Sequence, residues 1–175
     1  MIATLSRSSE EVGWERFEAL YRTTRDDVYA YVVTLLRDRA TADDVTALAF
    51  ERAFRRRRTF DRHRGNARGW LFGIARNAAL DELRRRKRVA AKDVAELADE
   101  ELTTQDDSDV QLRRTAVRVA LNGLSGRERE VIALKFFAGL SNHELAEVLG
   151  VSESNAGTIL HRTIEKLRIA CNATV

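Results

Sequence analysis

The 175 residues suffice for one domain of ordinary size or two small ones, and 44% hydrophobic with 33% charged residues excludes a disordered chain. A formal net charge of +3 beside a pI near 9.3 conceals strong segregation of charge, so the clusters matter more than the total. The single cysteine, Cys171, excludes an internal disulfide, and no apolar run approaches the roughly 20 residues needed to span a bilayer. The opening segment MIATLSRSSEEVGW lacks the apolar core of a signal peptide, so a cytoplasmic protein without a membrane contact is expected. Proline is absent, and Ala, Leu, Arg and Glu are abundant, which suits a chain made of helices. The expectation is an all-α protein of two small helical domains joined by an acidic linker, the second domain containing a helix-turn-helix.

The first block, residues 10 to 88, opens with a long amphipathic helix. Phe17, Leu20, Tyr21, Thr24, Val28, Tyr31, Val32 and Leu35 recur at helical spacing. RDRA at 37 to 40 breaks it, and Thr41 then caps a second helix with Asp43 and Asp44 in its first turn. That helix turns Val45, Leu48, Ala49, Phe50, Ala53 and Phe54 inward and runs into Arg55 to Arg58. A polar loop, FDRHRGN at 60 to 66, leads to the stretch WLFGIARNAALDELRRRKR at 70 to 88, one helix apolar at its start and basic at its end. Asn77, Arg84 and Arg88 share a face with Trp70, and Gly73 on nearly the same stripe keeps bulk off that face. An amide that donates and accepts suits a base edge, and the guanidinium run from Arg84 to Arg88 suits phosphates. The same segment also reads as a core helix with a solvated basic end. Trp70 reads as core packing, whereas Phe60 either plugs the core or stacks on a base.

The segment 89 to 110, VAAKDVAELADEELTTQDDSDV, carries Lys92 against many carboxylates and has few apolar residues. It cannot bury enough surface to fold alone and reads as an acidic linker or a plain tether. The third block, 111 to 172, places Leu112, Ala116, Val119, Ala120 and Leu124 on one helix face. Ser125 with Glu128 and Ser141 with Glu144 form capping boxes, and Gly139 and Gly150 end helices. Helix, Gly150, Val151, capping Ser152, then a second helix is the grammar of a helix-turn-helix. The inner stripe of the second helix is Ala156, Ile159, Leu160, Thr163, Ile164 and Leu167. Its outward residues are Ser154, Asn155, Thr158, His161, Arg162 and Lys166. Of these, Asn155 and Thr158 suit base edges, while Arg162 and Lys166 suit phosphates.

No metal-ligand spacing and no phosphate-cradling glycine loop occurs, so neither a cofactor nor an enzymatic activity is expected. His63, His143 and His161 are widely separated, and each reads as surface or DNA contact rather than catalyst.

Three stretches of the first half, ATADDVTALAFERAF at 40 to 54, TFD at 59 to 61 and residues 70 to 88, resemble bacterial RNA polymerase sigma factors of the extracytoplasmic function group. So does the second half, LSGREREVIALKFFAGLSNHELAEVLGVSESNAGTILHRTIEKLR at 124 to 168. The resemblance implies that residues 10 to 88 bind core RNA polymerase through Asp43, Asp44, Ala47, Leu48, Glu51 and Arg52. It implies that the same domain melts and reads the −10 promoter element through Phe60, Arg62, His63, Asn66, Asn77, Arg84, Arg85 and Arg88. It further implies that residues 111 to 172 bind the −35 element as duplex, that the linker passes through a polymerase channel, and that an anti-sigma factor regulates the chain. Two departures stand out. Such proteins usually have Gln then Glu where this chain has Ala47 and Leu48, leaving the polymerase contact to Asp44, Arg52 and apolar packing. In the recognition helix, Gly157 and Ile159 replace residues that are often basic, and Gly157 costs about 1 kcal/mol of helix stability relative to Ala. The competing reading is a free-standing helix-turn-helix regulator that acts without polymerase.

Overall fold

The structure is a computed structural model that describes residues 2–60, 66–90 and 116–172, with side chains from residue 16 onward. Every described regular element is a helix. The chain divides into two compact units, Met1–Ala95 and Glu96–Val175.

The first unit contains α1 (Ile2–Leu36), α2 (Arg39–Arg56), a single 3₁₀ turn (Arg57–Thr59) and α3 (Ala67–Ala90). Its core is Val28, Tyr31, Val32 and Leu36 of α1, Ala42, Val45, Ala49, Phe50 and Ala53 of α2, and Leu71, Phe72, Ile74, Ala75, Ala78 and Ala79 of α3. Alanines on the facing stripes of α2 and α3 let two backbones approach closely, while the aromatic rings fill the wider gaps. Tyr31 meets Phe72 edge-on at 5.5 Å between ring centroids, and Phe17 meets Phe54 at 5.2 Å. Trp70 is half-buried and lies against Phe60.

The corner between α1 and α2 departs from the sequence-based expectation. The break is shorter than RDRA: α1 ends at Leu36, and Arg37 takes a left-handed conformation with φ of 54°. Asp38, not Thr41, caps α2, because its extended backbone lets a carboxylate oxygen accept from the Thr41 N–H at 3.1 Å. Thr41 instead donates its hydroxyl to the other oxygen of Asp38. With the helix starting at Arg39, Asp43 and Asp44 fall beyond its first turn. Leu48, expected inside, is 36% exposed, because the buried stripe of α2 runs through Val45, Thr46, Ala49 and Phe50 instead.

The second unit contains α4 (described over 116–122), α5 (Gly126–Phe136), α6 (Asn142–Leu149) and α7 (Glu153–Asn172). Ala116, Ala120 and Leu124 are buried, but Val119 is 55% exposed, because one residue before Ala120 it is turned about 100° from the middle of the stripe that packs. Both capping boxes form, with each serine oxygen accepting from the N3 backbone and each glutamate accepting from the serine N–H. Gly150 closes α6 at φ of 66°, where it donates back to Ala146 and Glu147. α5 stops at Phe136, short of Gly139, whose φ of 65° then turns the chain toward α6. Leu112 and the segment 91 to 115 lie outside the described residues.

Candidate nucleic-acid and polymerase interfaces

The polymerase-facing candidates lie on α2. Asp43, Asp44, Ala47, Leu48 and Glu51 are all exposed and fall on adjoining stripes of one helix face. Three carboxylates, two before and one after an alanine and a leucine, make an acidic surface with an apolar centre. Glu51 is engaged by Arg55, one turn on, at 2.5 Å. Arg52 does not join this face: it turns toward α3 and sets Nη1 3.3 Å from Asp81 Oδ2.

On α3 the structure separates residues that look equivalent in sequence. Asn77 is exposed, and a Cβ placed at Gly73 would meet nothing within 4 Å, so the surface one turn before the amide is open. Arg84 lies 3.3 Å from Asp81, and Arg85 makes a two-pronged pair with Glu82 at 2.7 and 2.8 Å. That pair raises the Arg85 pKa, and the hydrogen bond from Arg85 is the largest influence holding Glu82 below the usual carboxylate range. Arg86 points inward instead of outward and is 18% exposed. Lys87 and Arg88 are exposed and make no ion pair among the described residues. Arg88 is thus the candidate whose guanidinium is most available to a phosphate. The phosphate role that the sequence assigns to the whole run does not extend to Arg86, because the fold has given its donors other acceptors.

Before α3, Asn66 accepts from the Gly69 N–H at 2.7 Å and so caps the helix. Phe60 is half-buried and packs against Trp70 with ring centroids 5.1 Å apart. Arg62 and His63 lie outside the described residues.

In the second unit the helix-turn-helix consists of α6, Gly150 to Ser152, and α7. Ser152 accepts from the Asn155 N–H at 3.2 Å, and the Val151 N–H donates to Ala146 at 3.1 Å, which sets the angle at which α7 leaves the turn. Ala156, Leu160 and Thr163 are buried, and the Thr163 hydroxyl is satisfied by the Ile159 carbonyl at 2.7 Å. The opposite face carries Ser154, Asn155, Thr158, His161, Arg162 and Lys166, all exposed. Asn155, Thr158 and Arg162 form one continuous stripe at i, i+3 and i+7. The Thr158 hydroxyl donates to Ser154 at 2.9 Å, which leaves it an acceptor toward a ligand. Arg162 makes no ion pair among the described residues. Lys166 differs: its Nζ lies 3.0 and 3.3 Å from the two carboxylate oxygens of Glu128 on α5. The Ser125 backbone N–H, first, and Lys166, second, hold Glu128 below the usual carboxylate range. His143 lies 3.6 Å from Glu147 and 3.7 Å from Glu153, at the start of α7.

The carboxylates Asp38, Asp81 and Glu82 were not singled out by sequence, and Glu128 was singled out only as the capping-box partner of Ser125. The pairs Asp81–Arg84 and Glu82–Arg85 are at i, i+3, a spacing that sequence does signal. Contacts from Asp38 to Arg86 and Glu128 to Lys166 span 48 and 38 positions and carry no local signal. Among the described residues no group of three or more His, Cys, Asp or Glu side chains is placed to hold a metal ion, and no helix is long and apolar enough to cross a membrane.

Residues 20–89 match the family model described as Sigma-70 region 2, and residues 120–168 match that described as Sigma-70, region 4. The chain is 31% identical over 152 residues to the ECF RNA polymerase sigma factor SigL of Mycobacterium tuberculosis, an alignment covering 86% of each. It is 31% identical over 156 residues to the ECF RNA polymerase sigma factor BldN of Streptomyces coelicolor, covering 87% of this chain and 59% of that protein, so the chain spans about three-fifths of that relative's length. Among solved structures, the sigma factor RpoE in complex with the anti-sigma factor NepR from Bartonella quintana superposes with a TM-score of 0.74 at 20% identity, covering 90% of this chain and 98% of that one. That likeness concerns the fold.

Proposed function

This chain belongs to the extracytoplasmic function group of RNA polymerase sigma factors, and on that premise we propose that it binds core RNA polymerase and directs it to promoters. The observation that carries this reading is the occurrence of region 2 and region 4 matches, in that order, in one 175-residue chain. A free-standing regulator needs only the second of these.

The division of labour follows from the surfaces. The exposed face Asp43, Asp44, Ala47, Leu48 and Glu51 of α2 suits a polymerase clamp with basic and apolar groups. Asn77, with Arg84 and Arg88 further along α3, suits a melted −10 strand: an amide captures an unstacked base while guanidinium groups hold the backbone. The stripe Asn155, Thr158 and Arg162 suits the −35 major groove, with base-edge donors near the helix start and phosphate contacts behind them. Lys166 and Arg85, each already paired with a carboxylate, contribute less than Arg162 and Arg88. The protein works by binding, without chemistry of its own, in the cytoplasm where polymerase is found. A protein anti-sigma factor is its expected regulator; the RpoE to which this chain is similar in fold was solved in complex with the anti-sigma factor NepR.

Run-off transcription with bacterial core enzyme on a genomic fragment library tests this. Promoter-specific transcripts that require the added chain are expected. Footprints by the chain alone, with no transcripts gained, would establish the free-standing regulator instead.

A further inference from the structure

Arg86 stands in the middle of the basic run Arg84 to Arg88, yet its guanidinium is the one the fold has taken inward. Its Nη2 donates to Asp38 Oδ2 at 2.5 Å, its Nη1 to the Leu36 carbonyl at 3.2 Å and its Nε to Glu82 Oε1 at 3.0 Å. Leu36 is the last residue of α1, and Asp38 is the N-cap of α2. Glu82 is on α3 itself, with its side chain 11% exposed. One planar group thus ties the basic end of α3 to the corner from which α2 begins. All three helices of the unit meet at it.

We infer that Arg86 is a positioning residue for promoter melting and not a phosphate contact: it holds the end of α3 so that Asn77, Arg84 and Arg88 meet the −10 strand in a fixed frame relative to the polymerase-binding helix α2. The inference rests on the sigma-factor reading. Its physical basis is the geometry of the fork. Guanidinium presents its donors in a rigid plane, and here they reach three acceptors on three different segments. An ammonium group has the same charge and no such plane. For a phosphate, lysine serves as a point charge nearly as well as arginine. For this junction it does not, because three separate nitrogens, held apart in one plane, each meet a different acceptor, and a lysine offers a single nitrogen in their place. Thr41 bonds both carboxylate oxygens of Asp38 independently of Arg86, so the cap of α2, and with it polymerase binding, is expected to survive a change at Arg86.

The test uses the full chain assembled with core enzyme on a promoter that the parent holoenzyme transcribes. Parent activity on that promoter checks the sigma-factor reading separately. Arg86→Lys, Arg86→Ala, Arg88→Lys and Arg88→Ala are compared below the melting temperature of every variant. Arg86→Lys and Arg86→Ala are expected to slow open-complex formation alike, by about tenfold, the scale of hydrogen bonds to a charged group. Both should leave core affinity and the salt slope of promoter binding at the parent value. Arg88→Ala should lower that slope by about one unit, and Arg88→Lys should restore it. Normal melting by Arg86→Lys together with a lowered slope for Arg86→Ala would make Arg86 a phosphate contact and overturn the inference. It is equally overturned if core binding and open-complex formation fall in the same proportion, for Arg86 would then only hold the unit together.

Discussion

At the scale of residues, charge partners decide which basic side chains remain for nucleic acid. Arg162 and Lys166 lie one turn apart on α7, both exposed, yet Lys166 is held by Glu128 and Arg162 makes no ion pair among the described residues. Arg162→Ala is therefore expected to weaken −35 binding on all sequences alike and to lower the salt slope by about one unit, whereas Lys166→Ala changes the slope less. Asn155→Ala should instead relax preference at one or two base pairs, as measured by binding to a panel of single-base variants. The Glu128–Lys166 pair has a pH signature as well. Glu128 ionises below its ordinary range in the folded chain, so its contribution is present at neutral pH and is lost as pH falls through the depressed pKa. Glutamine at this N3 position keeps the capping bond but removes the charge. Glu128→Gln should thus lower Tm at neutral pH, and the gap to the parent should close as the solution is acidified below the usual carboxylate range.

At the scale of elements, caps and turns set where each functional face points. Gly150 sits at φ of 66° with nothing within 4 Å of an added Cβ, so replacing it strains the backbone without any clash. Gly150→Ala should cost about 1–2 kcal/mol, the penalty of a left-handed conformation for an L-residue, and appear as a lower Tm of the second unit. Because the Gly150 to Ser152 turn sets the exit angle of α7, the same variant should bind −35 duplex more weakly even when fully folded. Both capping boxes and this turn were legible in sequence, since each is a pattern of neighbours within four positions. The cap of α2 was not: Thr41 and Asp38 are both good capping residues, and the left-handed turn at Arg37 decides between them. Leu48 was misplaced for a related reason. Periodicity marks a wide apolar stripe, and only the packing of α1 and α3 against α2 determines which edge of the stripe stays in solvent.

At the scale of the whole molecule, the acidic stretch expected as a linker at 89 to 110 lies in sequence between the two sets of candidate DNA-binding residues. Its charge predicts a role that a tether of neutral residues does not fill. Replacing its Asp and Glu by Asn and Gln at constant length should tighten non-specific DNA binding by the free chain at low salt, and the difference should fade as ionic strength rises. Equal binding at all salt concentrations would reduce the segment to a tether. The amino-acid sequence by itself determined the all-helical class, the helix-turn-helix with its capping boxes, and the family, because these depend on periodicity, on pairs within a few residues and on motif order. Which arginines of the 84 to 88 run face outward was decided only by tertiary structure. Asp38 and Leu36 reach Arg86 from some fifty positions away, and no local pattern distinguishes that guanidinium from its neighbours until three helices close around it.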